Sequence, residues 1–379
     1  MKALHFGAGK IGRGFIGAKL AQSGYKVTFA DTATEIVAEI NRSHSYTVHI
    51  VDYNSYNEDI SGISALISDS EQTLKAISEA QLITTAVSMG RLCDVAKIMA
   101  SGLTLRRKIN NNTPLNIICC ENGVRATSQF KRMLLQHTDY ATTAWIEEHI
   151  GFVDCAVDRI VPIVSFGNPL DVAVEEFCEW KVENAALKGE LLPIPSMQRV
   201  ENLDAYINRK LFTLNTAHCA TAYLGALRDC KYIHEATNNS WVQERVCKAM
   251  SQSSNALIAE FSLSKTEQQR YSQQILRRFA NPYINDRVSR VARDPIRKLS
   301  PALYFTAPIN MALKHSLAIE ALAVAVAAAL KYRADDDLQS LQIGEMITNL
   351  GIKPTISQIT AITDPATVAM IADAFDGLM

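Results

Sequence analysis

Two groups of residues in this chain have types and spacings suited to chemistry. The first is Gly7-Ala8-Gly9-Lys10-Ile11-Gly12, a G-x-G-x-x-G run that directly follows the apolar stretch Lys2–Phe6. A strand that ends in such a turn and passes into a helix offers backbone N–H groups and the positive end of a helix dipole to phosphate oxygens. Gly7 permits the tight turn, Gly9 lets backbone approach a pyrophosphate, and Gly12 lets helix and strand pack closely. Asp31 lies 19 residues beyond Gly12, closing a second strand-like stretch, Tyr25–Ala30. A carboxylate there accepts from ribose hydroxyls and repels a 2′-phosphate, so the run predicts a dinucleotide site that favours NAD over NADP. Taken alone, Asp31 also fits a solvated turn carboxylate, and Lys10, Arg13 and Lys26 are nearby cations that soften the preference.

The second group is Lys210, Asn215 and His218, inside the amphipathic segment 203–227. At ~100° per residue, Asn215 lies about 140° around from Lys210 and His218 about 80°. All three fit one side of a helix, over roughly 12 Å of its length. Oxidising a secondary alcohol by hydride loss requires a base for the hydroxyl proton. A lysine serves when desolvation or neighbouring cations lower its pKa. Asn215 would donate its amide N–H to the developing alkoxide, and His218 would orient the hydroxyl or the lysine. On spacing alone, a solvated lysine and a satisfied core histidine are the ordinary alternative.

Elements must position these groups, and the composition allows for them. At 379 residues the chain exceeds the size of one growing core, so two domains are expected. Hydrophobic residues make up 48% and charged residues 20%, and the net charge is −1. There is no basic field for a nucleic-acid backbone, so the partner is expected to be a small molecule. The eight cysteines are scattered; none falls at zinc-ligand spacing with histidine, so no metal site is expected, and the adjacent Cys119–Cys120 reads as core. The N-terminus has no charged and apolar leader pattern, and Ala318–Leu330 is too short and Ala-rich for a membrane span, so a cytoplasmic protein with no membrane contact is expected. Nothing in the sequence sets an oligomeric state.

Strand-like runs at Lys2–Phe6, Tyr25–Ala30, Leu82–Val87 and Leu115–Cys119 alternate with helical patterns. After a Pro-containing stretch at Leu191–Ser196 the chain reads as helix after helix. The expected architecture is α/β: a Rossmann-type, doubly wound parallel sheet over residues 1–192, then a mainly α-helical substrate domain over 193–379, with catalysis in the cleft between them.

Five stretches, Met1–Gly17, Pro114–Asn122, Glu148–Pro162, Lys210–Gly225 and Arg290–Leu299, together resemble the polyol-specific long-chain dehydrogenase/reductase family. They occur in the expected order across nearly the whole chain, and Lys210, Asn215 and His218 meet the family signature K-x-x-x-x-N-x-x-H. The resemblance implies reversible NAD-dependent oxidation of D-mannitol 1-phosphate at C5 to D-fructose 6-phosphate, with Lys210 as general base and no metal. It also implies that Asn122 joins Asn215 in an oxyanion site, although a residue after an apolar strand equally suits a turn. Thr85 and Ala86 fit the place where backbone passes beside the cofactor, or plain strand-end packing. A phosphorylated polyol needs a cationic clamp, and the resemblance points to Arg297 and Lys298 within the basic run Arg290, Arg293, Arg297, Lys298; a solvated helix face is the other reading. His315 is a further candidate with an equally good packing role.

The sequence departs from the family in two places. Ser88-Met89 stands where Gly-Pro is usual, and Ser300–Lys314 lacks the usual Asp-Arg-Leu element. Two rival readings are an oxidoreductase of an unphosphorylated polyol or hexuronate, and a catalytically silent NAD(H)-binding regulator.

Overall fold

The computed structural model describes residues 1–162 and 164–378. The chain divides into two compact units, Met1–Leu203 and Asp204–Met379. In the first unit the strands are β1 (Lys2–Phe6), β2 (Lys26–Asp31), β3 (Ser45–Ile50), β4 (Tyr56–Ser61), β5 (Ser64–Ile67), β6 (Leu82–Thr85), β7 (Leu115–Cys119), β8 (Ile150–Phe152), β9 (Cys155–Asp158), β10 (Val172–Val174), β11 (Glu179–Glu183) and β12 (Met197–Val200). Six of them form one parallel sheet in the order β5-β2-β1-β6-β7-β8. Its interior strands β6 and β7 are buried along their whole length, as the mainly apolar runs LITT and LNIIC suit strands covered on both faces.

One face packs Leu4, Phe6, Ile83 and Ile117 against helices Glu71–Glu79 and Leu92–Lys108. The other packs Ala3, Val27 and Ile118 with Phe15, Ile16 and Trp180. Sheet order reverses between β1 and β6, which makes the carboxyl edge there the switch point of a doubly wound fold. Phe6, Asp31, Thr85 and Cys119 all end their strands on that edge.

Two three-stranded sheets, β10-β3-β4 and β12-β11-β9, complete the unit. β12 pairs with β11, so the chain as far as Leu203 packs with the first unit, beyond the boundary expected at residue 192.

The second unit is mainly helical. Its long members are Ser240–Phe261, Lys265–Ala280, Glu320–Lys331, Leu338–Leu350 and Pro365–Gly377. Ala323, Ala325, Ala327, Ala328 and Ala329 are all fully buried in the third of these, where small side chains permit close helix approach. No helix among the described residues is long and apolar enough to cross a membrane. The helical segments Leu203–Arg209, Lys210–Asn215 and Thr216–Ala226 follow one another without a break, the middle one in the wider π geometry.

Candidate functional site

The glycine turn follows β1 as its spacing demands. Gly7 has φ +101°, and a Cβ there would lie 2.5 Å from the Ala86 carbonyl oxygen. Gly12 is as constrained, since a Cβ would drive into the Gly7 carbonyl and come within 2.8 Å of His5 Nε2. Beneath the turn, burial pushes the His5 imidazole down to about 3, so it stays neutral, with Nδ1 2.6 Å from the Thr84 hydroxyl. Gly9 is exposed, and no heavy atom lies within 4 Å of where its Cβ would be. That open backbone, beside the start of a helix, fits a pyrophosphate.

Asp31 is tied to the same turn: Oδ2 accepts from the Ala8 N–H (2.5 Å) and Oδ1 from the Ala33 N–H (2.9 Å). Its remaining lone pairs are the ones available to a ribose. Arg13 does not face a nucleotide. Its guanidinium is buried and donates to the carbonyls of Leu170, Pro169 and Ala8, and burial lowers its pKa. Lys10 reaches the Val164 carbonyl at 3.3 Å, and Ile11 is exposed on the first turn of the helix.

On the far side of the switch point, Ala86 donates its N–H to Phe6 O and sets its carbonyl against Gly7. The Thr85 hydroxyl donates to both oxygens of Glu121 (2.8 Å each), and the Val87 N–H donates to Oε1 (3.0 Å). Glu121 is only 5% exposed, and burial raises its pKa. Asn122 follows it, exposed on the loop after β7. Ser88 has φ 84° and ψ 151°, a backbone region that essentially only glycine occupies without strain. This is the position where the sequence departs from the family's glycine.

In the second unit, Lys210, Asn215 and His218 are all part-exposed on an otherwise buried helix. The Thr216 N–H reaches the Leu211 carbonyl, five residues back. A turn closing on i+5 brings Asn215 round to about 50° from Lys210, closer than the α-helical expectation of about 140°. Side chains satisfy the carbonyls that the wide turn loosens. The Ser253 hydroxyl donates to Phe212 O, and the Thr216 hydroxyl donates to Leu211 O and Tyr304 O.

His218 stacks on Phe279 (centroids 4.7 Å apart), and its Nε2 lies 2.9 Å from Asp286 Oδ2. Arg290 holds the same carboxylate through two bonds of 2.7 Å. Burial alone would raise the Asp286 pKa, but the bonds from His218 and Arg290 outweigh it and bring it down to about 2. An ionised Asp286 accepts, so Nε2 carries the proton and Nδ1 is the acceptor of the neutral ring.

The basic run splits by orientation. Arg290 is committed to Asp286. Lys298, expected on a phosphate, is 6% exposed and donates to the carbonyls of Val291 and Arg293; burial lowers its pKa. Arg293 and Arg297 point outward at 60% and 51% exposure, with loose carboxylate neighbours Asp336 (3.5 Å) and Asp294 (3.8 Å). His315 bonds Glu260 at 2.7 Å beside Lys314. Sequence reasoning missed Asp286, Phe279 and Glu121. Asp286 is 68 residues from His218, and only its place four residues before Arg290 hinted at a pair.

Comparison with known proteins places both units. The family model described as the mannitol dehydrogenase Rossmann domain matches residues 1–196, and the one described as the mannitol dehydrogenase C-terminal domain matches residues 202–379. Among solved structures, the chain is similar to Pseudomonas fluorescens mannitol 2-dehydrogenase in ternary complex with NAD and D-mannitol, at 18% identity and a TM-score of 0.77 over 100% of this chain and 92% of that one. It is similar to a D-sorbitol dehydrogenase in substrate-free form at 16% identity and a TM-score of 0.77, over 97% and 94% of the two chains. At these identities the likeness is one of fold.

Proposed function

The chain belongs to the mannitol dehydrogenase family, and from that premise we propose that it oxidises D-mannitol 1-phosphate at C5 to D-fructose 6-phosphate, the reaction of a mannitol-1-phosphate 5-dehydrogenase. At the coarser level it is an NAD-binding oxidoreductase of a polyol or sugar. Bound NAD supplies the hydride acceptor; Gly7–Gly12 and Asp31 would hold its pyrophosphate and ribose, with Thr85 and Ala86 alongside. The reading gives the proton chemistry to the second unit. Lys210 takes the hydroxyl proton, Asn215 steadies the developing alkoxide with its amide N–H, and Asn122 is the second amide donor proposed.

The observation that carries the reading is the helix face itself. A π turn brings Lys210 and Asn215 to one side of the helix, and the nearby His218 is fixed in rotamer and tautomer by Phe279 and by Asp286 with Arg290. An imidazole held this firmly is suited to orienting a hydroxyl. Arg297 is the proposed phosphate contact, being the outward cation of the R-K-L stretch; Lys298 supports the turn behind it.

A second reading, an unphosphorylated polyol or a hexuronate as substrate, is favoured by the inward Lys298 and the committed Arg290, which leave fewer cations for a phosphate. Loss of NADH absorbance with fructose 6-phosphate, compared with fructose and hexuronates under the same conditions, separates the two. Preference for the phosphorylated sugar by tenfold or more in kcat/KM is expected. The reverse order would remove the phosphate assignment, and NADH binding without turnover of any of them would remove catalysis.

A further inference from the structure

Glu121 is a buried acid that the proposed mechanism does not use. Glu121 lies just beyond β7, where the sequence runs from the apolar strand LNIIC into a loop. No cation holds it. It accepts from the Thr85 hydroxyl on both oxygens and from the Val87 N–H on Oε1. The titratable groups packed against it are the thiols of Cys119 and Cys120, which burial keeps neutral. An acid placed in such surroundings costs stability unless something offsets it.

Its place in the fold suggests what does. The adenosine side of the cofactor belongs over β2, where Asp31 ends the strand, and the sheet order reverses between β1 and β6. A dinucleotide laid across that reversal puts its nicotinamide half over the ends of β6 and β7. Thr85 ends β6, Glu121 follows β7, and the Val87 whose N–H binds Glu121 has its side chain 3.1 Å from where a Gly7 Cβ would be.

We propose that Glu121 is the counter-charge for the oxidised nicotinamide, so that the apoprotein's binding site discriminates between NAD+ and NADH by charge. The ring is cationic in NAD+ and neutral in NADH. A carboxylate buried near it, with no cation of its own, attracts one redox form and is indifferent to the other. The Thr85 and Val87 donors keep Glu121 ionised when the ring is present and aim its oxygens from the strand ends. The inference rests on the NAD-dependent reading of this unit.

The test is direct binding, without turnover. NAD+ and NADH are titrated separately into the full chain and into Glu121→Gln at pH 8, by calorimetry and by NADH fluorescence. The expected result is a loss of NAD+ affinity on the order of tenfold, with the NADH dissociation constant changed less than twofold. An equal loss for both forms, or no loss for either, overturns the proposal, since a packing role moves the two together. If Glu121→Gln does not accumulate folded, Glu121→Met removes the charge at similar volume and carries the same expectation. Failure of the unaltered chain to bind either nucleotide would instead overturn the cofactor reading beneath it.

Discussion

Asp286→Asn isolates the one carboxylate that holds the His218 ring. The substitution preserves size and one acceptor oxygen but removes the charge that Arg290 grips at 2.7 Å and His218 meets at 2.9 Å. Asp286 is 8% exposed, and its pKa is displaced from 3.8 to about 2. At 1.36 kcal/mol per pKa unit, that displacement corresponds to about 2 kcal/mol of folding stability, an upper figure because Arg290 is largely in solvent. The sign follows from linkage. A folded-state pKa below the unfolded one gives stability that is complete above about pH 4 and lost as pH falls toward 2. Urea unfolding should therefore show the variant less stable by about 2 kcal/mol at pH 7, with the gap narrowing in acid. Turnover should fall by on the order of tenfold or more, because a ring without its orienting carboxylate samples the wrong tautomer. Equal stability at pH 7 with parallel acid curves would refute the charge argument. A destabilised variant with unchanged kcat would reduce His218 and Asp286 to structural parts.

Three further outcomes are expected. Lys210→Ala should lower kcat by on the order of 100-fold or more while NADH affinity, measured by fluorescence, stays near normal; near-normal rates would take the proton chemistry away from this amine. Arg297→Ala should raise KM for fructose 6-phosphate with little change in kcat, and an unchanged KM would return this arginine to solvent. Ser88→Gly should raise the melting temperature of the first unit by a few degrees. It relieves about 1–3 kcal/mol of backbone strain at φ 84°, less the entropy glycine gains in the unfolded chain. An unchanged or lower melting point would mean that the strain is already compensated.

The shape of the glycine turn was legible in the sequence because its stereochemistry admits few residues. Gly7 at φ +101° and Gly12 under the Gly7 carbonyl cannot carry side chains, so their spacing reports a shape. The parallel sheet was legible for a similar reason, since β6 and β7 are buried on both faces and read as mainly apolar runs. Orientation was not. Lys298 and Arg297 are adjacent and alike in charge, yet one is folded onto main-chain carbonyls and the other stands in solvent. Asp286 was hidden by distance along the chain, and Glu121 by its position beside Cys119-Cys120 at the end of an apolar strand. The π turn was hidden because Lys210, Asn215 and His218 satisfy an α-helical period well enough to conceal it.

That widened turn sets stability against use. A segment closing on the fifth residue holds, in effect, one residue more than an α-helix needs to cover the same rise. Deleting Leu211 would let the carbonyls of the Lys210–Asn215 segment regain ordinary helical partners and would release Ser253 from its duty toward Phe212. The shortened protein should melt no lower than its parent. Straightening the turn into an α-helix at full length, by contrast, would swing Lys210 by ~100° about the axis relative to the imidazole, so that route to helical order would leave the proposed base aimed at the wrong side of its substrate.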